Sequence, residues 1–232
     1  RGLRKKMKLK RDKITRVNRL PSMPKSYIDY INSVRRKAKK HGIEVFFSKE
    51  DVVYDSNNDN VGCGGFFGEE LNRLATATNH NLTHWFSIFI HEACHMEQWI
   101  ERREWFESKI EIYSRFFEWL THDKEYTRKQ LEESRQAIIE IEQDCEKRAV
   151  EKIKKYKFKN ITIKRYIQEA NCYLYLYSFM LQRRKWYNSV SHKGMCWQLC
   201  PTRFPKDYKK IPKKLFLAFT EVADKIDKKN AG

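Results

Sequence analysis

The chain has 232 residues, 41% hydrophobic and 14% aromatic, enough to build a sizeable core and too apolar for a disordered polymer. Its formal net charge is +18, which favours nucleic acid, acidic protein or anionic surfaces as partners. No apolar run reaches the roughly 20 residues that span a bilayer, and the basic N-terminus lacks the apolar stretch of a secretory signal. The chain opens on Arg1 and not Met, so an upstream start is expected. Six scattered cysteines read as thiols in a reducing, cytoplasmic setting and not as a disulfide framework.

In chain order, residues 1–20 form a basic arm closed by "LPSMP". "KSYIDYINSVRRKAKK" carries Tyr27, Ile28, Ile31 and Val34 at helical spacing and stops at Gly42. "IEVFF" is a short strand, "DVVYDSNNDNVGCGG" is rich in turns with room for one more, and "GFFGEELNRLATAT" holds one or two. "GCGGFF" lacks a phosphate-loop pattern and reads as a turn or bulge. A helical period begins after Asn81 or Thr83, either of which can cap it, and a second helix covers about 106–122. Long helices follow in "DKEYTRKQLEESRQAIIEIEQDCEKRAVEKIKKY" and "TIKRYIQEANCYLYLYSFMLQRRKWY". The last 45 residues hold three prolines and are expected to wrap the surface. The fold class is α+β: an N-terminal helix and a small sheet, then a mostly helical half. The expected organisation is an arm at 1–20, a domain at 21–187 and a basic extension at 188–232 packed on it.

Chemistry concentrates in "FIHEACHMEQW". This helix is apolar on most sides, which marks it as buried, but His84, Ser87, His91, His95 and Gln98 share one face. Two imidazoles four residues apart point the same way and can grip one metal ion, and Glu92 stands one step round. The competing reading is two core histidines satisfied by hydrogen bonds. A zinc site needs a third protein ligand and an open position. No further histidine has a fitting spacing, and His122 reads as an exposed turn residue, so a carboxylate is expected. In "IIEIEQDCEKRAVEKI", Glu142 lies on a face otherwise made of Ile138, Cys145 and Ala149, and a carboxylate there is costly without a cation. Glu142 is therefore the expected ligand. Glu146, one turn on, is the expected acid that orients a ligand histidine. Asp144 shares a face with Lys147 and Arg148 and reads as solvated.

"HEACH" followed some 50 residues later by "EQDCE" resembles the gluzincin-type metallopeptidases, which carry H-E-x-x-H on one helix and a Glu ligand on a later one. The resemblance covers residues 24–185 at most. Cys145 matches the small residue three positions after that Glu, and Glu146 stands where Asp is usual. The resemblance implies one Zn²⁺ held by His91, His95 and Glu142, with Glu92 as general base in peptide-bond hydrolysis. It also implies that "LNRLATAT" is an edge strand pairing with extended peptide. Asn171 and Tyr175 share a helix face, and Tyr175 is a candidate oxyanion donor, with amphipathic packing as the other reading.

Cys196 and Cys200, with His192 before them, offer half of a second zinc site or buried thiols. The alternative function is a basic nucleic-acid-associated protein whose H-E-x-x-H is structural or inactive, contacting nucleic acid or acidic protein through its termini.

Overall fold

The structure, a computed structural model, describes residues 20–54, 62–187 and 195–231. The basic arm, apart from Leu20, and His192 lie outside the described residues. The chain divides into two compact units, one comprising residues 1–103 and 151–161, the other 104–150 and 162–232.

The first unit begins with helix α1 (Lys25–Lys40), entered through Pro24 in an extended conformation. Its apolar residues recur every three or four positions, and Tyr27, Tyr30, Ile31, Val34 and Ala38 form its buried face. The helix ends where Gly42 takes φ +69°, a left-handed turn that costs glycine little. Lys37, Lys39 and Lys40 sit in the last turn, where the helix dipole favours cations.

Among the described residues, five strands follow. β1 (Glu44–Ser48), β5 (Arg73–Ala77) and β4 (Gly65–Gly68) form one sheet in that spatial order, and β2 (Val53–Tyr54) pairs with β3 (Gly62–Cys63) in a second. β1 runs parallel to β5, with Phe46 opposite Ala75, and β4 runs antiparallel to β5, with Phe66 opposite Ala75. The strand expected at an edge, "LNRLATAT", is therefore the central one. The apolar "EVFFS" takes its outer side, and Leu74 to Ala77 are all buried. An edge next to the H-E-x-x-H helix is instead presented by β4.

Helix α2 (Leu82–Glu101) packs on this sheet. Its Phe86 and Phe89 meet Tyr30 edge-on, and Phe158 closes the cluster with ring centroids 4.9 Å from Phe86 and 5.0 Å from Tyr27. Such offset aromatic pairs add to what burial alone provides.

The second unit contains most of α3 (Arg103–Leu120), α4 (Arg128–Tyr156) up to Val150, α5 (Ile163–Arg183), a 3₁₀ turn (Cys196–Leu199) and α6 (Lys213–Ala231). Phe116, Leu131, Ile138, Leu176, Phe179 and Phe219 belong to its core. The C-terminal segment, expected to wrap the surface, contains the helix α6. Leu215, Phe219 and Ala223 repeat every four residues and are fully buried, so the segment is an amphipathic helix that starts just after Pro212. A second unexpected feature is Arg135, buried to 1% exposure. Its guanidinium donates to both Glu132 oxygens and to Ser178 Oγ, which in turn donates to the Tyr208 carbonyl. A buried guanidinium needs this full set of acceptors.

Candidate metal centre

The first unit positions the H-E-x-x-H residues. Asn81 caps α2, its side-chain oxygen accepting from the His84 amide at 3.0 Å. Trp85, Phe86, Phe89, Ile90, Ala93 and Met96 then fill the buried sides of the helix. His91, Glu92 and His95 are left half-buried on the remaining side.

The two imidazoles converge. His91 Nε2 and His95 Nε2 lie 3.0 Å apart. Two nitrogens bound to one tetrahedral zinc at 2.0–2.1 Å would be about 3.3 Å apart, so the pair fits one ion with a small spread. His95 Nδ1 lies 2.8 Å from Gln98 Oε1, and Gln98 is fully buried. An amide oxygen only accepts, so this bond places the proton on Nδ1 and leaves the Nε2 lone pair facing His91. Gln98 was legible in the sequence only as one member of the polar stripe; its role required the distance.

Glu92 is fixed from the sheet. The outward amide of Phe67 on β4 donates to Glu92 Oε2 at 3.0 Å. This needs the strand to lie directly on α2, which two glycines permit. A Cβ on Gly64 or Gly65 would stand 2.7 Å from Ile88, one turn before Glu92. A Cβ on Gly65 would also come within 3.3 Å of Glu92 Cγ. The "GCGG" stretch is therefore a close-approach device, beyond the turn or bulge its composition suggests.

Behind the histidines α2 is held by a buried charge. Glu97 receives Lys37 Nζ from α1 at 2.9 Å and Lys152 Nζ from the end of α4 at 2.7 Å. Burial works against the Lys37 ammonium, but Glu97 and Glu101 outweigh it and raise its pKa above the ordinary lysine value.

The other expected site residues belong to the second unit. Glu142 is half-buried and Glu146 buried, each with one carboxylate oxygen shielded from solvent. Cys145 between them is fully buried. Asp144, expected to be solvated, is half-buried and ion-paired with the half-buried Arg148 at 2.8 Å. His122 is exposed in the turn after α3. Tyr175 is buried, its ring 4.8 Å from Tyr208, and burial raises its hydroxyl pKa. Asn171 donates to the Pro201 and Arg203 carbonyls at 2.8 and 2.9 Å and accepts from the Tyr208 hydroxyl at 2.6 Å. Cys196 and Cys200 are buried, and burial raises the Cys196 thiol pKa. Contact with Cys200, then burial, holds the Cys172 thiol far above its usual value.

The chain matches no family model, no curated protein and no solved structure.

Proposed function

We propose that the chain is a zinc metallopeptidase, with His91 and His95 as two metal ligands and Glu92 as the general base. The observation that carries this reading is the convergence of two imidazole nitrogens at 3.0 Å, one of them oriented by the buried Gln98. The third protein ligand is assigned to Glu142, the acid on an otherwise apolar face of α4, with Glu146 one turn on as the acid that orients a ligand histidine. Cys145 is the competing donor on the same stretch.

Bound zinc would lower the pKa of a water molecule to about 7 and polarise a carbonyl. The chain's own residues supply the proton transfers. With Oε2 held by the Phe67 amide, Glu92 is aimed by the strand, and its other oxygen takes the water proton and passes it to the departing amine. Among the described residues no helix is long and apolar enough to cross a membrane. The six free cysteines fit a reducing, cytoplasmic compartment. The net charge of +18 adds an attraction for nucleic acid or acidic protein that does not depend on the metal.

Hydrolysis of a quenched-fluorescent peptide library tests the reading. Wild-type protein should cleave, a chelator should stop cleavage and added zinc restore it. Glu92→Gln should lower kcat by about 10²–10⁴-fold. Cleavage that survives Glu92→Gln at the wild-type rate contradicts the assignment.

A further inference from the structure

The loop that enters α6 is held on one side and charged on the other. Residues 203–214 carry six cations (Arg203, Lys206, Lys209, Lys210, Lys213 and Lys214) and one acid, Asp207. All six are exposed and none makes a close ion pair with a described residue, although Lys209 is near enough to Glu132 to help lower its carboxyl pKa. Asp207 is engaged locally, accepting from the Lys209 amide at 3.1 Å. Several cations on the neighbouring helices are matched instead: Arg165 with Glu169 at 2.8 Å, Arg183 with Asp224 at 3.1 Å and Lys225 with Glu221 at 2.6 Å.

The inner side of this loop is bolted down. Asn171 holds the Pro201 and Arg203 carbonyls, and Gln143 donates to the Pro205 carbonyl at 2.9 Å. Ser178 donates to the Tyr208 carbonyl at 2.7 Å, and Tyr208 itself is fully buried. Gln168 donates to the Cys200 carbonyl at 3.0 Å. A surface loop normally leaves such carbonyls to water. Here four side chains fix the backbone, so the cations are displayed from a pre-ordered support and little backbone entropy is lost when they meet a ligand.

We infer that the Arg203–Lys214 segment is a binding surface for the phosphate backbone of single-stranded nucleic acid, read without base specificity. Six cations within twelve residues, on a bent loop and the first turn of α6, suit a polyanion. In the same unit the Arg165 guanidinium lies 5.0 Å over the half-buried Trp197 ring, a cation–aromatic pair of a kind that can stack bases. A membrane surface suits the segment less well. Past Leu217, α6 turns to the mixed charges of Glu221, Asp224 and Lys225, so no basic amphipathic face runs along the helix.

Fluorescence anisotropy with a labelled 20-mer oligothymidylate across a potassium chloride series tests this, comparing wild type with the variant R203Q/K206Q/K210Q/K213Q. These four side chains are exposed, so the fold is expected to persist, and circular dichroism melts check it. The expected result is binding by wild type, with a log K against log salt slope that falls by about 3 in the variant, at about 0.7 per lost contact. Zinc-loaded and chelator-treated wild type should bind alike, which separates this surface from the peptidase reading. An unchanged slope in the variant overturns the proposal. So does binding to phosphatidylserine vesicles without binding to the oligonucleotide, or no binding to either.

Discussion

At the scale of single residues, the outcome turns on which atoms of a side chain are already engaged. His95 would offer a metal its Nε2 because Nδ1 is committed to Gln98. Gln98→Leu removes the acceptor and frees the ring to rotate and change tautomer. Zinc affinity, measured by competition with a chromogenic chelator, should fall about 10–100-fold. An unchanged affinity would mean that packing alone orients the ring. The sequence placed His91, Glu92 and His95 on one face through their spacing, because helical periodicity is fixed by backbone geometry. It did not identify Gln98 as an orienter, since that role depends on a rotamer and a 2.8 Å contact. Nor did it reveal Arg135, because a buried guanidinium is read from composition as a surface charge until its acceptors on Glu132 and Ser178 are seen.

At the scale of elements, β4 and α2 are fitted to each other through the absence of side chains. Gly65→Val would drive a branched side chain into Ile88 and the Ala75 carbonyl. Overpacking of this kind costs about 1–3 kcal/mol. The strand should lift from α2, and amide exchange at Phe67 should accelerate in hydrogen-exchange mass spectrometry. Protection equal to wild type would show that Ile88 can yield instead. Element types with strong periodicity were legible: α1, α2, α4 and α5 lie within a few residues of their expected bounds. Two elements were not. The gluzincin resemblance implies an edge position for β5, but the strand pairs on both sides, parallel with β1 and antiparallel with β4, and local sequence does not say which strands flank it. α6 was hidden by nearby prolines, although Pro212 stands where it precedes the helix and does not break it.

At the scale of the whole molecule, charge and acidity govern stability. Glu132 has its carboxyl pKa lowered from 4.5 chiefly by Arg135, against the opposing effect of burial. A depressed carboxylate contributes stability that is present above the unfolded value and lost as pH falls through the folded one. Urea midpoints should therefore drop as pH falls below about 4.5, and Glu132→Gln should flatten that part of the profile. A profile of the same shape in wild type and variant would assign the acid sensitivity elsewhere.

The central claim is the metal. Zinc per chain, measured by inductively coupled plasma mass spectrometry after zinc dialysis and desalting, tests it most directly across wild type, His91→Ala, Glu142→Ala, Cys145→Ser and Glu92→Gln. One zinc is expected in wild type, Cys145→Ser and Glu92→Gln, and little in His91→Ala and Glu142→Ala. Loss in Cys145→Ser with retention in Glu142→Ala would move the third ligand to the thiol. Wild-type protein that holds no zinc, or His91→Ala protein that holds as much as wild type, would contradict the account.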